Sequence, residues 1–414
     1  MKTLLVAFLF TAQAGTPDTL RLADALQAAR EANPMLRAAR SSATAAGQRI
    51  GPAGALPDPQ LQFGLMNRMA SDFGNTSDPM TMNQLQLMQM IPWPGKLGGA
   101  KQAARHTAAA AAADAEEQAR MLAATVRMTY FQTAYVDRAL DVMGHTRELL
   151  RTFLDVSTTM YAAGSAVQQD VLRAQVEVAR MTEEITRMEQ ERLAMAARLN
   201  ALLGRSPATP VPALELALLD STELSPPDTL IAWAVRGRPA LLAGQERVAA
   251  AQASLSAARR ELYPDFTFGV AYQQRPQFPA MMSVMVGINV PLFAGARQLP
   301  MRREAAAMQE MTRAELANLQ NETASQIIAT HARAIQDRNL IRLYRGSVVP
   351  QARAAVAAAL SSYRVGRVTF MTLVDNQITA NRYETETYRL LADYHQAVGE
   401  LAALVGRDVG EMQP

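Results

Sequence analysis

The sequence predicts a mainly α-helical fold with transmembrane β-strands, in which one unit of helix, β-hairpin and long helical hairpin is used twice. Three observations predict it: an internal duplication, four segments that alternate apolar with polar residues, and helical stretches too long for a compact domain.

The duplication is read directly from the residues. "ANPMLRAARSSATAAGQRIGPAGALPDPQLQFGL" (32–65) overlays "GRPALLAGQERVAAAQASLSAARRELYPDFTFGV" (237–270) without a gap, pairing Pro34 with Pro239, Leu36 with Leu241, Phe63 with Phe268 and Gly64 with Gly269. "YAAGSAVQQDVLRAQ" (161–175) overlays "YRVGRVTFMTLVDNQ" (363–377), and "LLGR" (202–205) overlays "LVGR" (404–407). The repeats are therefore expected over 15–205 and 228–407, joined by a Pro-rich linker over 206–227 and followed by a short tail, 408–414.

Ahead of the first repeat, Lys2, the apolar run Leu4 to Phe10 and the Ala12-x-Ala14 pattern read as a secretory signal peptide over 1–14, against the alternative of a short buried helix. An opening helix is expected from about Leu20 to Ala55, capped by Asp18 or Thr19, with a counterpart from about Asp228 to Leu262.

Strands follow at about 57–67 and 82–92, and again at about 264–274 and 281–291. Leu61, Phe63 and Leu65 alternate with Gln60, Gln62 and Gly64; Leu85 and Leu87 alternate with Gln84 and Gln86. In the second copy, Phe266, Phe268, Val270 and Tyr272, then Val284, Val286, Ile288 and Val290, occupy every other position. A sheet resting on helices would alternate too, but these lengths suit strands that cross a bilayer at a tilt.

Long helices close each unit: about Lys96 to Tyr161 and Gln168 to Leu203, then about Ala296 to Tyr363 and Thr369 to Val405. At 1.5 Å per residue the longest reaches roughly 100 Å. Val178, Met181, Ile185, Met188, Met195, Leu199 and Leu202 step as a coiled-coil seam that Arg192 interrupts.

Composition narrows the function. With 41 basic against 38 acidic residues, nucleic-acid binding has no support; with no cysteine, disulfides and thiolate chemistry are excluded. The four histidines show no metal-ligand spacing, and no phosphate loop, catalytic triad or cofactor fingerprint occurs, so neither an enzyme nor a cofactor is expected. Four strands cannot close a membrane barrel, so several chains must contribute to one.

The blocks "ANPMLRAAR", "ALPDPQLQFG", "QMIPWPGKL", "NVPLFAGAR", "YAAGS", "YRVGR" and the two "LxGR" ends, in this order and twice over, resemble the TolC family of outer-membrane efflux proteins. The resemblance implies a homotrimer with a 12-stranded β-barrel in outer-membrane lipid, continued by a long periplasmic α-helical barrel. It also implies a periplasmic adaptor protein and an inner-membrane pump, of the RND type, that supplies the energy. The run "MNQLQLMQMIPWPGKL" is most similar to the heavy-metal branch, the CzcC-like and CusC-like channels. Heavy-metal cations are thus one expected cargo; drugs, other organic solutes or exported proteins are the alternatives of the same architecture, and a periplasmic coiled-coil scaffold is the alternative of another class.

Site residues follow from the same resemblance. The hairpin tips that meet the adaptor correspond to Gly164, Ser165 and Val167, and to Arg364, Gly366 and Arg367, although the glycines would be needed to reverse the chain in any case. The constriction corresponds to Asp170 and Asp375, with Arg173 and Thr372 where further acids would stand, and Arg173 or Arg367 available for closing salt bridges. Pro92 and Trp93, mirrored by Pro291 and Phe293, mark the strand-to-helix junction, with Trp93 at the membrane interface. Among the 23 methionines, Met181, Met188 and Met195 read as seam packing, whereas those around the hairpins hint at cargo without forming a metal site.

Overall fold

The computed structural model describes residues 20–219 and 223–407. The leader over 1–14, the proposed caps Asp18 and Thr19, and the tail 408–414 lie outside the described residues.

Each repeat opens with a helix that is broken where one continuous helix was expected. α1 (Leu22–Ala32) stops at Asn33 and α2 (Pro34–Gln48) restarts, because Pro34 has no N–H to give the preceding turn. Asn33 caps the restart, its Oδ1 accepting from Met35 N at 2.9 Å and Leu36 N at 3.3 Å, while its Nδ2 donates to Leu202 O at 2.9 Å. A single turn, α3 (Ile50–Ala53), follows. The second repeat breaks the same way between α6 (Pro227–Gly237) and α7 (Pro239–Arg260). There Arg238 stands at the break, donating to Glu117 at 3.0 Å and to Thr323 Oγ1 at 2.7 Å.

One antiparallel sheet joins the repeats in the order β1 (Gln60–Met66), β2 (Met82–Ile91), β3 (Asp265–Arg275), β4 (Phe278–Asn289). β1 begins three residues later than the pattern suggested, past Pro57 and Pro59, which cannot donate to a ladder. β4 begins earlier, since only two residues separate it from β3.

α4 (Lys96–Ala162) is unbroken over 67 residues and returns as α5 (Gln168–Leu202). The second outgoing helix is interrupted: α8 (Gln298–Leu343) passes through one π-helical turn, Tyr344–Val348, into α9 (Val349–Arg364), before α10 (Phe370–Val405) returns. Pro350 follows that turn and removes a donor there. No described helix is long and apolar enough to cross a membrane.

Three apolar clusters hold the described helices, one of them joining α6, α8 and α10 through Leu230, Ala234, Ile327, Leu401 and Val405. Around the middle of α4, Leu36, Val126, Leu199, Leu203, Ile341 and Leu391 pack α2, α4, α5, α8 and α10 together with the linker residues Val211 and Leu214. Toward the hairpin tips, Leu150, Phe153, Met181, Ile185, Phe370 and Leu373 form a second cluster. Leu199 of the expected seam is buried, but on either side of it Ala196 and Leu203 are buried where the 3.5-residue step put Met195 and Leu202.

Arg192, the interruption in that seam, is a structural fastener. Its Nε lies 2.5 Å from Asp137 Oδ1 on α4, and its other nitrogen donates to Val211 O in the linker at 3.0 Å. Asp137 also accepts from Leu214 N at 2.9 Å, so one ion pair ties α4, α5 and the linker. Removing Arg192 would strand a carboxylate that is only 10% exposed. Because the arginine is itself 26% exposed, Arg192→Ala is expected to cost about 2–4 kcal/mol, less than a fully buried pair. Thermal unfolding checks it: a lowered transition that Asp137→Leu/Arg192→Met largely restores is expected, and an unchanged transition for Arg192→Ala would contradict it.

Candidate functional site

The sheet presents two faces of opposite chemistry. In the register, Leu61 faces Leu87, Phe63 faces Leu85, Leu85 faces Tyr272, Leu87 faces Val270, and Val270 faces Val284. Phe266, Phe268, Val286 and Ile288 complete this apolar face, and apart from the half-buried Phe266 these members are exposed, Phe63 by 68% and Val284 by 76%. The opposite face pairs Gln62 with Gln86, Gly64 with Gln84, Gln84 with Gln273, and Ala271 with Ser283. Gln84 donates to Gln86 at 2.9 Å and Gln273 to Ser283 at 3.1 Å. Strands of 10 to 12 residues, at about 3.3 Å per residue and a tilt of roughly 40°, match an apolar band of about 25 Å.

At one end of the sheet, strands turn into helices around Pro92 and Trp93. The Trp93 ring stacks on Tyr263 at 5.1 Å and on Phe266 at 5.7 Å, and its backbone N–H donates to Asp265 at 2.8 Å. Lys96, 7% exposed, lies 2.9 Å from Asp265 and 3.3 Å from Glu261, so the first-repeat junction is clamped to the start of β3. Gly95 carries φ +90°, and a side chain there would collide with Arg260, which donates to Gly95 O at 3.2 Å. Pro291 opens the mirrored turn, in which Leu292 and Phe293 are 83% and 81% exposed. Aromatic and apolar side chains at this level suit a membrane–water boundary.

The hairpin tips lie at the far end of the long helices. Gly164 (φ +70°) and Gly366 (φ +72°) adopt the left-handed backbone that ends a helix. Ser165 N closes the first tip on Met160 O at 2.8 Å, and Arg367 N closes the second on Ser362 O at 2.9 Å. Val167, 60% exposed, precedes α5, and Arg364 is the exposed last residue of α9. The tips thus offer two reverse turns with exposed apolar and basic side chains.

Just inside the tips, the four residues expected at the constriction have different surroundings. Asp170, in the first turn of α5, is half-buried and faces Tyr363 of α9. Arg173 is turned to Met371, its Nη1 2.9 Å from the sulfur. Thr372 sits in the cap of α10, its N–H donating to Thr369 Oγ1 at 3.3 Å. Asp375 is exposed and has no hydrogen-bond or ion-pair partner among the described residues. Within one chain, neither Arg173 nor Arg367 pairs with an acid among the described residues. Sequence reasoning missed Tyr363 as a buried group behind the tip; its repeat mate Tyr161 is exposed, whereas Tyr363 is buried against Phe370 at 5.5 Å.

Groups able to hold a metal are sparse. No cluster of three or more histidine, aspartate or glutamate side chains fit for a metal ion occurs among the described residues. His106 contacts Glu246 at 2.7 Å and His145 its own helix backbone at Asp141 O, so both are helix-surface groups.

Burial, and secondarily the Asp170 carboxylate, push the Tyr363 hydroxyl up to about 12 from the usual 10.0. A phenol whose folded pKa is raised contributes stability that is complete below pH 10 and lost as pH climbs through about 12. Ultraviolet titration, with Tyr363→Phe as the subtraction, should therefore place this phenol well above 10, and Asp170→Asn should lower it only partly because burial remains. Titration of Tyr363 at 10 in the folded protein would contradict the packing at the tip.

Comparison with known proteins agrees with this geometry. The chain is 25% identical over 410 residues to the pyoverdine export outer membrane protein OpmQ of Pseudomonas putida, covering 92% of this chain and 84% of that one. The solved outer membrane protein VceC of Vibrio cholerae superposes with a TM-score of 0.79 at 18% identity, over 94% of this chain and 96% of that one. The channel CusC superposes with a TM-score of 0.78 at 16% identity, over 93% and 92%. The family model described as outer membrane efflux protein matches residues 25–205 and again 230–407. With both repeats matched and the fold shared, the chain belongs to the outer membrane efflux protein family and is a protein of the outer membrane.

Proposed function

We propose that this protein is the outer-membrane exit duct of a tripartite export system, with three copies closing one 12-stranded barrel. The observation that carries it is the sheet itself: one face apolar and exposed, the other polar, and two edges, β1 and β4, that no strand among the described residues covers. In lipid an open edge leaves backbone groups unsatisfied, so neighbouring copies supply the missing ladders. A periplasmic scaffold would have no use for an apolar outer face of this size.

The helices carry the polar interior onward to the tips, where an adaptor would dock at Gly164, Ser165, Val167, Arg364, Gly366 and Arg367. Nothing in the chain binds a nucleotide by motif, so an inner-membrane pump, of the RND type, supplies the driving force. As to cargo, the likeness to CusC keeps heavy-metal cations as one reading. The relative named for pyoverdine export favours organic solutes, and we adopt the organic reading.

Asp375, exposed and unpaired among the described residues, is the residue of choice for an acidic ring at the constriction, whereas Asp170 is half-buried near Tyr363. Three carboxylates around one narrow axis select for cations. In planar bilayers, Asp375→Ala should reduce cation selectivity several-fold, and Asp170→Ala should change it less. Unchanged selectivity in both would sink the ring, and absence of the protein from outer-membrane fractions would sink the duct.

A further inference from the structure

The methionines of the sheet are sorted by face. Met66, Met82, Met88, Met90, Met281 and Met285 all lie on the polar face, and of the strand methionines only Met282 lies on the apolar one. The apolar face is filled mainly by Leu, Phe, Val and Ile, with Met282 its one methionine, so thioethers are not its general apolar filler. Two of them converge across three strands. Gly269 of β3 pairs with Met88 of β2 on one side and Met285 of β4 on the other. A Cβ at Gly269 would meet Met285 Cε at 3.3 Å and Met88 Cγ at 3.4 Å, so both side chains lean over the glycine. Gln86 Nε2 lies 3.9 Å from Met285 Sδ, and from Thr267 to Gln273 this face carries no charged side chain.

We propose that this face is a binding surface for planar aromatic solutes in transit, with Met88 and Met285 over Gly269 as its central contacts. The proposal rests on the exit-duct reading and names a class of cargo for it. Thioethers are polarisable and flexible, contact aromatic rings favourably and adapt to solutes of different outline, while the glutamine amides meet polar ring edges. The methionines are strung along the strands: Met66 pairs with Met82 toward one end, Met88 and Met285 meet in the middle, and Met90 lies toward the helices. A soft cation is held best by thioethers gathered at one point. A file of weak contacts instead lets a solute enter without being trapped.

Ethidium is the probe, read by fluorescence anisotropy with the full-length protein in detergent. Met88→Ile/Met285→Ile should bind it about three- to tenfold more weakly than the unaltered protein. Met282→Ile, on the lipid face, should bind as tightly as the unaltered protein. Met285→Leu, which keeps the volume, should give a smaller loss and serves if the double variant fails to assemble. Equal affinity in all variants overturns the proposal, and so does silver(I) binding that depends on Met88 and Met285 while ethidium binding does not. Conductance of the same preparations reads the duct separately: a conducting protein whose ethidium binding ignores these methionines refutes the lining alone.

Discussion

Backbone hydrogen bonding in lipid is the constraint on which the rest of the structure depends. A strand edge inside the hydrocarbon leaves N–H and C=O groups with neither water nor partner, at several kcal/mol for each. One chain brings four paired strands and two bare edges, β1 and β4. Over the two edges the unpaired groups amount to a cost on the order of tens of kcal/mol. In the proposed trimer assembly is therefore part of folding, and the exposed apolar face is the surface that lipid would cover.

Duplication lets one design serve both halves, and the differences between the copies locate the specialised parts. The break after the first helix is capped by Asn33 in one copy and held by Arg238 and Glu117 in the other. The first outgoing helix is continuous, while the second carries a π-helical turn at Tyr344–Val348. At the tips, Tyr161 is exposed and Tyr363 buried beside Asp170. The two tips share a backbone turn and differ in what packs behind it.

Much of this was legible in the sequence because it is periodic. Alternation along Leu85 and Leu87 assigns the faces of β2, and Gly164 and Gly366 mark the tips since only a left-handed residue ends those helices cheaply. Reading the opening helices through Pro34 and Pro239 was an error against a local rule that the residues themselves state. Other features were hidden because their partners are far away in the chain. Arg192 looked like a fault in the seam until Asp137 and Val211 came beside it. Met88 and Met285 converge only once β3 sets the register between them. Asp170 and Asp375 were both read as acids behind the tip glycines, and packing leaves Asp170 half-buried and Asp375 exposed.

The most direct test of the face assignment is nitroxide scanning along β2, which a chain without cysteine permits at single introduced cysteines from 84 to 88. In the assembled protein in lipid bilayers, labels at Leu85 and Leu87 should be relaxed by membrane-dissolved oxygen. Labels at Gln84, Gln86 and Met88 should be relaxed by a water-soluble nickel chelate, with a period of two. A flat profile, or one in the opposite phase, would contradict a barrel wall with lipid on the leucine side and water on the glutamine side.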